Sequence, residues 1–196
     1  MIRRFSTDTA LLLVDVQIGV DDFAHWGGVN GRRNNPDAER VMLELLQAWR
    51  KSGFPVAFTR HDSLEEDSPL KLRLPSGDLK PGFAIVDDDI SVVKNVNSGF
   101  IGTSLHEEFT AREISRLVVV GFFTNMCVET TVRMAGNMGY DTYLVSEACA
   151  TTNRVGPDGV DYGAQRDYRG SLCTGDRGDQ AFSRNRCLMA FGGADR

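Results

Sequence analysis

The sequence predicts a single α/β domain in which helices cover both faces of a doubly wound, mostly parallel sheet. Short continuous apolar runs, typical of strands buried on both faces, alternate along the chain with segments of helical periodicity. The chain has 196 residues and 41% hydrophobic content, which is enough for one core and leaves little for a second. We find no internal repeat and no second domain in this pattern.

Five segments have the pattern of a buried strand. Each is short and apolar, and polar or turn-forming residues bound it. The predicted strands are residues 10–14, 55–59, 91–93, 116–121 and 141–146. Because the connections between them are long enough to hold helices, we expect parallel neighbours joined by right-handed crossovers.

Three segments between these strands have helical spacing. The first begins after Asn35 and Pro36, a capping residue and a first-turn proline, and it ends before Gly53. The other two are predicted over residues 103–113 and 126–138. Residues 64–81 combine prolines with mixed charges and are predicted as a long surface loop, a kind of segment that is often functional.

The end of the chain has a different composition. Residues 156–196 are rich in glycine and arginine and show neither a helical nor a strand period. We therefore divide the domain into a patterned core, residues 1–155, and an atypical, irregular C-terminal segment, residues 156–196. Because glycine-rich chain has high backbone entropy and little to bury, we expect this segment to be more mobile than the core.

Composition argues against several classes of protein. The formal net charge is −5, so no global positive field attracts nucleic acid or an anionic membrane. The apolar runs are far shorter than the roughly 20 residues that cross a bilayer, and the start lacks the apolar stretch of a signal peptide. The four cysteines form no C-x-x-C pair, which favours free thiols in a cytoplasmic protein.

Three reactive residues follow predicted strands. Asp15 follows the first strand, Lys94 follows the third, and Cys127 lies at the start of the helix after the fourth. Carboxyl ends of parallel strands meet at one edge of a sheet, where ligands bind. A helix start favours a thiolate and lowers the pKa of a thiol, so Cys127 is the best nucleophile among the cysteines. Asp15 and Lys94 would supply a general base and an electrostatic partner.

These residues lie in three longer segments of the chain. The segments are LLLVDVQ, VVKNVNSGFIGTSL and VVVGFFTNMCVETTVRMAGNMGYDTYLVSEACAT. In this order they resemble the three motifs of the isochorismatase-like cysteine hydrolases. The resemblance spans about residues 9–152, and its most specific part is the third motif, G-x-x-T-x-x-C-V. It implies that residues 1–155 form the hydrolase core.

The resemblance implies a role for each residue. Cys127 would attack a carbonyl carbon, Asp15 would carry the thiol proton to the leaving group, and Lys94 would orient Asp15. The family has a non-proline cis peptide before the cysteine, here matching Phe122–Phe123, and an oxyanion hole matching the backbone N–H groups of Phe123 and Cys127. The implied reaction is hydrolysis of an amide or ureide through a thioester, without a cofactor.

Two comparisons within this superfamily narrow the chemistry. Nicotinamidases carry an Asp-x-His metal motif and a further histidine after the second strand, whereas this chain has RHDS at residues 60–63 and no other histidine before His106. We therefore expect no metal. Isochorismatases that cleave a vinyl ether lack the cysteine. Vinyl-ether hydrolysis by Asp15 without the thiol, and a non-catalytic binding protein on the same fold, remain alternatives.

Aromatic and polar side chains near the strand ends are candidates for a substrate pocket. We expect a small-molecule substrate and a homo-oligomer, a dimer or larger. Trp26 and Phe123 would add to an apolar wall. The other pocket candidates are Gln17, Phe23, Arg60, His61, Phe100 and Asn125.

Overall fold

The computed structural model describes residues 5–27, 33–164 and 180–182. Six strands of this part form one parallel sheet in the order β3-β2-β1-β4-β5-β8, which confirms the doubly wound α/β fold. The strand order reverses direction between β1 and β4, where doubly wound sheets bind ligands. The strands are β1 (Thr9–Val14), β2 (Val56–His61), β3 (Ile90–Lys94), β4 (Arg116–Phe122), β5 (Asp141–Ala150), β6 (Arg154–Val155), β7 (Asp161–Tyr162) and β8 (Gln180–Phe182).

The helices lie between these strands. Those described are α1 (Phe23–Trp26), α2 (Ala38–Lys51), α3 (Leu105–Ala111) and α4 (Glu129–Asn137). The last three correspond to the predicted helices, and α1 is too short to show a period. A π-type turn, Thr124–Val128, precedes α4. The predicted loop over residues 64–81 contains a single 3₁₀ turn, Pro75–Gly77.

Three strands, β6, β7 and β8, lie where the sequence shows no strand pattern. β7 pairs with β6 in a small antiparallel hairpin, and β8 pairs with β5 at the edge of the sheet. Strands of two or three residues are too short to reveal a period of two, so the sequence did not predict them. Residues 165–179 and 183–196 lie outside the described residues, and the expectation of an irregular, mobile segment is untested there.

The sheet separates two apolar cores. Leu11 and Leu13 of β1 face α2, where they join the cluster that includes Leu45 and Trp49. Leu12 faces the other side and packs in a cluster with residues of α3 and α4. This alternation explains the continuous apolar run, because both faces of β1 are buried. None of the described helices is both long enough and apolar enough to cross a membrane.

A cluster of charged side chains packs against Phe122, the last residue of β4. Arg33 donates two 2.7 Å hydrogen bonds to Glu39, and Nζ of Lys80 lies 2.8 Å from Glu39 and 2.5 Å from Asp21. Both cations lie over the ring of Phe122, 5.4 and 5.5 Å from its centroid. Burial acts to raise the pKa of Glu39, but the hydrogen bonds from Arg33 and Lys80 outweigh it and lower the pKa to about 2.

This lowered pKa predicts an acid-sensitive contribution to stability. The contribution of Glu39 is fully present above its ordinary pKa of 4.5 and is lost as the pH falls towards about 2. We expect Glu39→Gln to reduce the free energy of unfolding by about 1–2 kcal/mol at pH 7, allowing for partial solvent screening. The difference from wild type should shrink as the pH falls below 4.5. Urea denaturation at several pH values measures it.

Glu44→Gln is the matched control. Glu44 lies on the same helix, α2, and forms an exposed pair with Arg40. Its replacement should cost less than about 0.5 kcal/mol at every pH. Equal losses in the two variants, or a difference independent of pH, would contradict the assignment to Glu39.

Candidate active site

The structure brings the three reactive residues together at the carboxyl ends of β1, β3 and β4. Asp15 directly follows β1, Lys94 is the last residue of β3, and Cys127 lies in the π-type turn after β4. This is the point at which the strand order reverses. The topology therefore places a carboxylate, an ammonium group and a thiol in one crevice.

Asp15 and Lys94 form a buried ion pair. Nζ of Lys94 lies 2.6 Å from Oδ2 of Asp15, and the two side chains are 0% and 1% exposed. Thr59 donates a 2.7 Å hydrogen bond to the other carboxylate oxygen, Oδ1. The backbone of Asp15 has a φ of 51°, a left-handed conformation that aspartate tolerates better than most residues. The carboxylate is thus held in one orientation.

Lys94 has two further acceptors. Its ammonium donates to Nδ1 of His61 at 2.9 Å and to the carbonyl oxygen of Val96 at 3.1 Å. The register of β2 and β3 pairs His61 with Lys94, which explains why these side chains meet. All three N–H groups of the ammonium therefore have a partner.

The turn after β4 brings Phe123 and Cys127 to the same crevice. The peptide bond between Phe122 and Phe123 is cis, as the family resemblance implies. The N–H of Phe123 has no acceptor within the described part of the chain. At Gly121, with a φ of 131°, a Cβ atom would lie 2.1 Å from the carbonyl oxygen of Val14. Only glycine therefore lets β4 approach β1 beside Asp15.

The thiol of Cys127 is buried, with 6% of the residue exposed. Its Sγ donates to Oδ1 of Asn97 at 3.6 Å. Burial raises the pKa of the Cys127 thiol, the charge of Asp15 raises it further, and Lys94 offsets this only in part. The sequence led us to expect a lowered pKa at a helix start, but burial outweighs that effect here. The resting residue is a thiol, so attack requires a base.

The site contains one group of atoms with spacing suitable for a metal. Ligand atoms of Asp15, His61 and Cys127 lie within 4.8 Å of one another. Lys94, however, already places its charge 2.6 Å from Asp15 and 2.9 Å from His61. A divalent ion there would face a fixed cation, so the donor set does not fit a metal.

A cavity opens to solvent beside the thiol. Aromatic and aliphatic side chains form much of its wall, and polar side chains lie around the ion pair. Among the described residues it is lined by Asp15, Val20, Trp26, His61, Ser63, Glu65, Leu70, Asn97, Phe122, Phe123, Met126 and Cys127. The space suits a small molecule.

Of the six further pocket candidates, His61 lines this cavity and the other five do not. Gln17 is fully buried, and its amide bonds to the backbone of His61. Arg60 reaches the carbonyl oxygen of Gly77, 3.4 Å away. The predicted wall residues Trp26 and Phe123 also line the cavity.

The remaining three candidates lie away from the lining. Phe23 is half-buried in α1. Phe100 stacks on Tyr140 in the core beneath α3. Asn125 accepts a 2.5 Å hydrogen bond from Thr151. Proximity to a strand end in sequence did not distinguish these residues from ones that point into the cavity.

Sequence reasoning also missed residues that the site uses. Thr59 is the first polar residue after the apolar start of β2, which is a signal that could have been noticed. Asn97 follows Lys94 by three residues in the second motif. Ser63 and Glu65 come from a loop without a period, and only the fold brings them to the cavity.

Comparisons with known proteins identify the family. The sequence model of the isochorismatase domain matches residues 9–162. An uncharacterized isochorismatase family protein of Bacillus subtilis, YrdC, is 39% identical over 84% of this chain and 86% of its own length. The ureidoacrylate amidohydrolase RutB of Agrobacterium fabrum is 39% identical over a shorter stretch, 39% of this chain and 35% of its own.

A crystal structure gives the same result for the fold. It is that of a protein from Chromobacterium violaceum described as a hydrolase of the isochorismatase family. The two chains superpose with a TM-score of 0.87 and 37% sequence identity, over 96% of each chain. With the family match over residues 9–162, this establishes that the chain belongs to the isochorismatase family of hydrolases.

Proposed function

We propose that this isochorismatase-family hydrolase cleaves the C–N bond of a small amide or ureide, with Cys127 as nucleophile and without a metal. The observation that carries the proposal is a buried thiol beside a carboxylate that is ion-paired with a lysine. A protonated thiol needs a base within reach, and Asp15 is the carboxylate whose charge acts on Cys127 most strongly.

The reaction would proceed in two stages. Asp15 takes the proton of the Cys127 thiol while sulfur bonds to the carbonyl carbon. The N–H groups of Phe123 and Cys127 stabilise the resulting oxyanion. The intermediate collapses as Asp15 passes its proton to the departing nitrogen and the C–N bond breaks, which leaves a thioester.

The second stage restores the thiol. Asp15 takes a proton from water as the water oxygen attacks the thioester carbon. The C–S bond then breaks, the carboxylic acid leaves, and the proton on Asp15 returns to sulfur. Lys94 stays paired with Asp15 throughout, so its charge compensates the buried carboxylate whenever that group is ionised.

The similarity to a ureidoacrylate amidohydrolase supports C–N bond cleavage, since that protein's name describes an amide-type hydrolysis. The cavity beside Cys127, lined by both apolar and polar side chains, supports a small substrate. The presence of Cys127 favours the thioester route over vinyl-ether hydrolysis, which would not use the thiol.

We expect Cys127→Ala to abolish turnover, by at least about a thousandfold, with the fold intact. The assay is a panel of amides, ureides and isochorismate. Mass spectrometry of the quenched wild-type reaction should then detect an acyl group on Cys127. The matched control is Cys149→Ala, a buried thiol in the core, which should keep activity within about threefold. Full activity in Cys127→Ala would contradict the assignment of Cys127 as the nucleophile.

The two charged partners should shift the reactivity of the thiol in opposite directions. Asp15 raises the pKa of Cys127 and Lys94 lowers it. Asp15→Asn should therefore move the pH midpoint for alkylation by iodoacetamide downwards although turnover is lost. Lys94→Met should move the midpoint upwards.

Peptide mass spectrometry assigns the alkylated residue. Burial raises the pKa of Cys149 to about 12, so its labelling should be slow at all pH values used. Circular dichroism checks folding, since Lys94→Met leaves a buried carboxylate unpaired. Shifts in the same direction, or none, would show that Asp15 and Lys94 do not act on this thiol.

Activity should survive exhaustive dialysis against a chelator, because Lys94 already supplies the cation between Asp15 and His61. The metal content of the purified protein and its activity before and after dialysis are measured together. One bound metal per chain, with activity lost on its removal and restored on its return, would disprove the metal-independent mechanism.

A further inference from the structure

The ring of His61 is held in one tautomer by Lys94. An ammonium group has donors and no acceptor, so the 2.9 Å contact between Nζ and Nδ1 requires a lone pair on Nδ1. The other two N–H groups of Lys94 point to Asp15 and to the carbonyl oxygen of Val96. The proton of the neutral imidazole therefore lies on Nε2.

The backbone of His61 is fixed as well. The buried side chain of Gln17 accepts a 2.7 Å hydrogen bond from the N–H of His61 and donates a 3.0 Å bond to its carbonyl oxygen. The same amide nitrogen also donates to Gly77 at 2.9 Å. Ring and main chain are thus both anchored, which is how a protein pre-organises a binding group.

The surrounding charges agree with a neutral ring. Burial lowers the pKa of His61, and the cation of Lys94 lowers it further. The carboxylates of Asp15, Asp62 and Glu65 act in the opposite direction without reversing the shift. At neutral pH the imidazole is therefore uncharged, as the Nδ1 contact requires.

The remaining donor of the ring, Nε2–H, has no acceptor among the described residues. The ring lines the cavity, and 12% of its side chain is exposed. The donor is therefore open to the cavity, where water or a ligand can accept its hydrogen bond. The geometry thus leaves one oriented donor for whatever fills the cavity.

The strand order fixes where this donor lies relative to the reaction. His61 ends β2, Asp15 follows β1, and the N–H groups of the oxyanion hole follow β4. Since β1 lies between β2 and β4, the backbone of His61 and the turn that would form the oxyanion hole follow strands on opposite sides of β1. A carbonyl oxygen in the hole places the departing nitrogen over Asp15 and the rest of the leaving group towards His61.

We propose that Nε2–H of His61 binds an acceptor on the leaving group of the substrate and thereby sets specificity. The proposal rests on the proposed function. The preferred substrates are those whose departing nitrogen carries a carbonyl or a ring nitrogen, as in acylureas. A simple primary amide releases ammonia, which offers no such acceptor and leaves the donor unsatisfied.

The tautomer is tested directly by ¹⁵N NMR of the histidine rings. The chain has three histidines, and His61→Asn assigns the His61 signals. We expect the neutral Nε2–H form at pH 7. An Nδ1–H form or an imidazolium at that pH would overturn the proposal.

Specificity is tested with acetylurea and acetamide, which share an acetyl group and differ in the leaving group. Each is used to protect Cys127 from methyl methanethiosulfonate, a thiol reagent without an amide. We expect acetylurea to protect wild type at about tenfold lower concentration than acetamide. In His61→Asn the ratio of the two protecting concentrations should fall to near one. The concentration of acetamide needed for protection should stay within about threefold of its wild-type value.

The variants separate this role from a structural one. The amide oxygen of Asn can still accept from Lys94 where Nδ1 did, and each protecting concentration is measured against the rate at which the same variant reacts without a probe. His106→Asn, at a histidine that bonds Tyr140 away from the cavity, should keep the wild-type ratio.

A ratio near one in wild type, or a ratio retained in His61→Asn, would overturn the role of His61. If either of these outcomes is found and an acyl group is still detected on Cys127, the proposed hydrolase reaction stands without the role of His61. Absence of an acyl group, with the protection ratio as expected, would instead overturn the proposed reaction while preserving the binding role.

Discussion

The buried ion pair of Asp15 and Lys94 is the interaction on which the rest of the site depends. Two charges without access to water are stable only if their geometry is good and their remaining hydrogen-bonding capacity is filled. Thr59 donates a hydrogen bond to the second carboxylate oxygen of Asp15. His61 and the carbonyl oxygen of Val96 accept hydrogen bonds from the remaining N–H groups of Lys94. These partners come from β1, β2 and the end of β3, so the pair requires the three strands to be in register.

The same pair explains why the nucleophile is a thiol at rest. A carboxylate beside a buried sulfur opposes a second negative charge, and Lys94, already bonded to Asp15, compensates only part of that effect. A thiolate would therefore be unfavourable before the substrate arrives. In the proposed reaction, the proton would move from sulfur to Asp15 during attack, and the negative charge would move to the substrate oxygen, where backbone N–H groups could stabilise it. The proposed mechanism thus couples proton transfer and bond formation through electrostatics.

The sequence predicts the parts of this site that follow from periodicity. Apolar runs define strand ends, and strand ends place Asp15, Lys94 and Cys127 at one edge of the sheet. It does not predict the pKa of Cys127, because burial is a property of the assembled fold. Nor does it distinguish His61 from its neighbour Arg60, whose side chain reaches Gly77 instead of the cavity. Side-chain direction at a strand end depends on register, which a single sequence does not show.

A second charged cluster packs against one residue of the cavity wall, Phe122. Phe122 lines the cavity, while Arg33 and Lys80 lie over its ring and are held there by Glu39. Glu39 starts α2, and Lys80 belongs to the loop after β2, so the cluster links separate segments to the end of β4. The next residue, Phe123, carries the N–H that would face the oxyanion. Small displacements of such a donor are costly in catalysis. In the proposed mechanism, the two ion networks, one at the cavity and one at Phe122, would therefore hold the reacting groups at fixed positions.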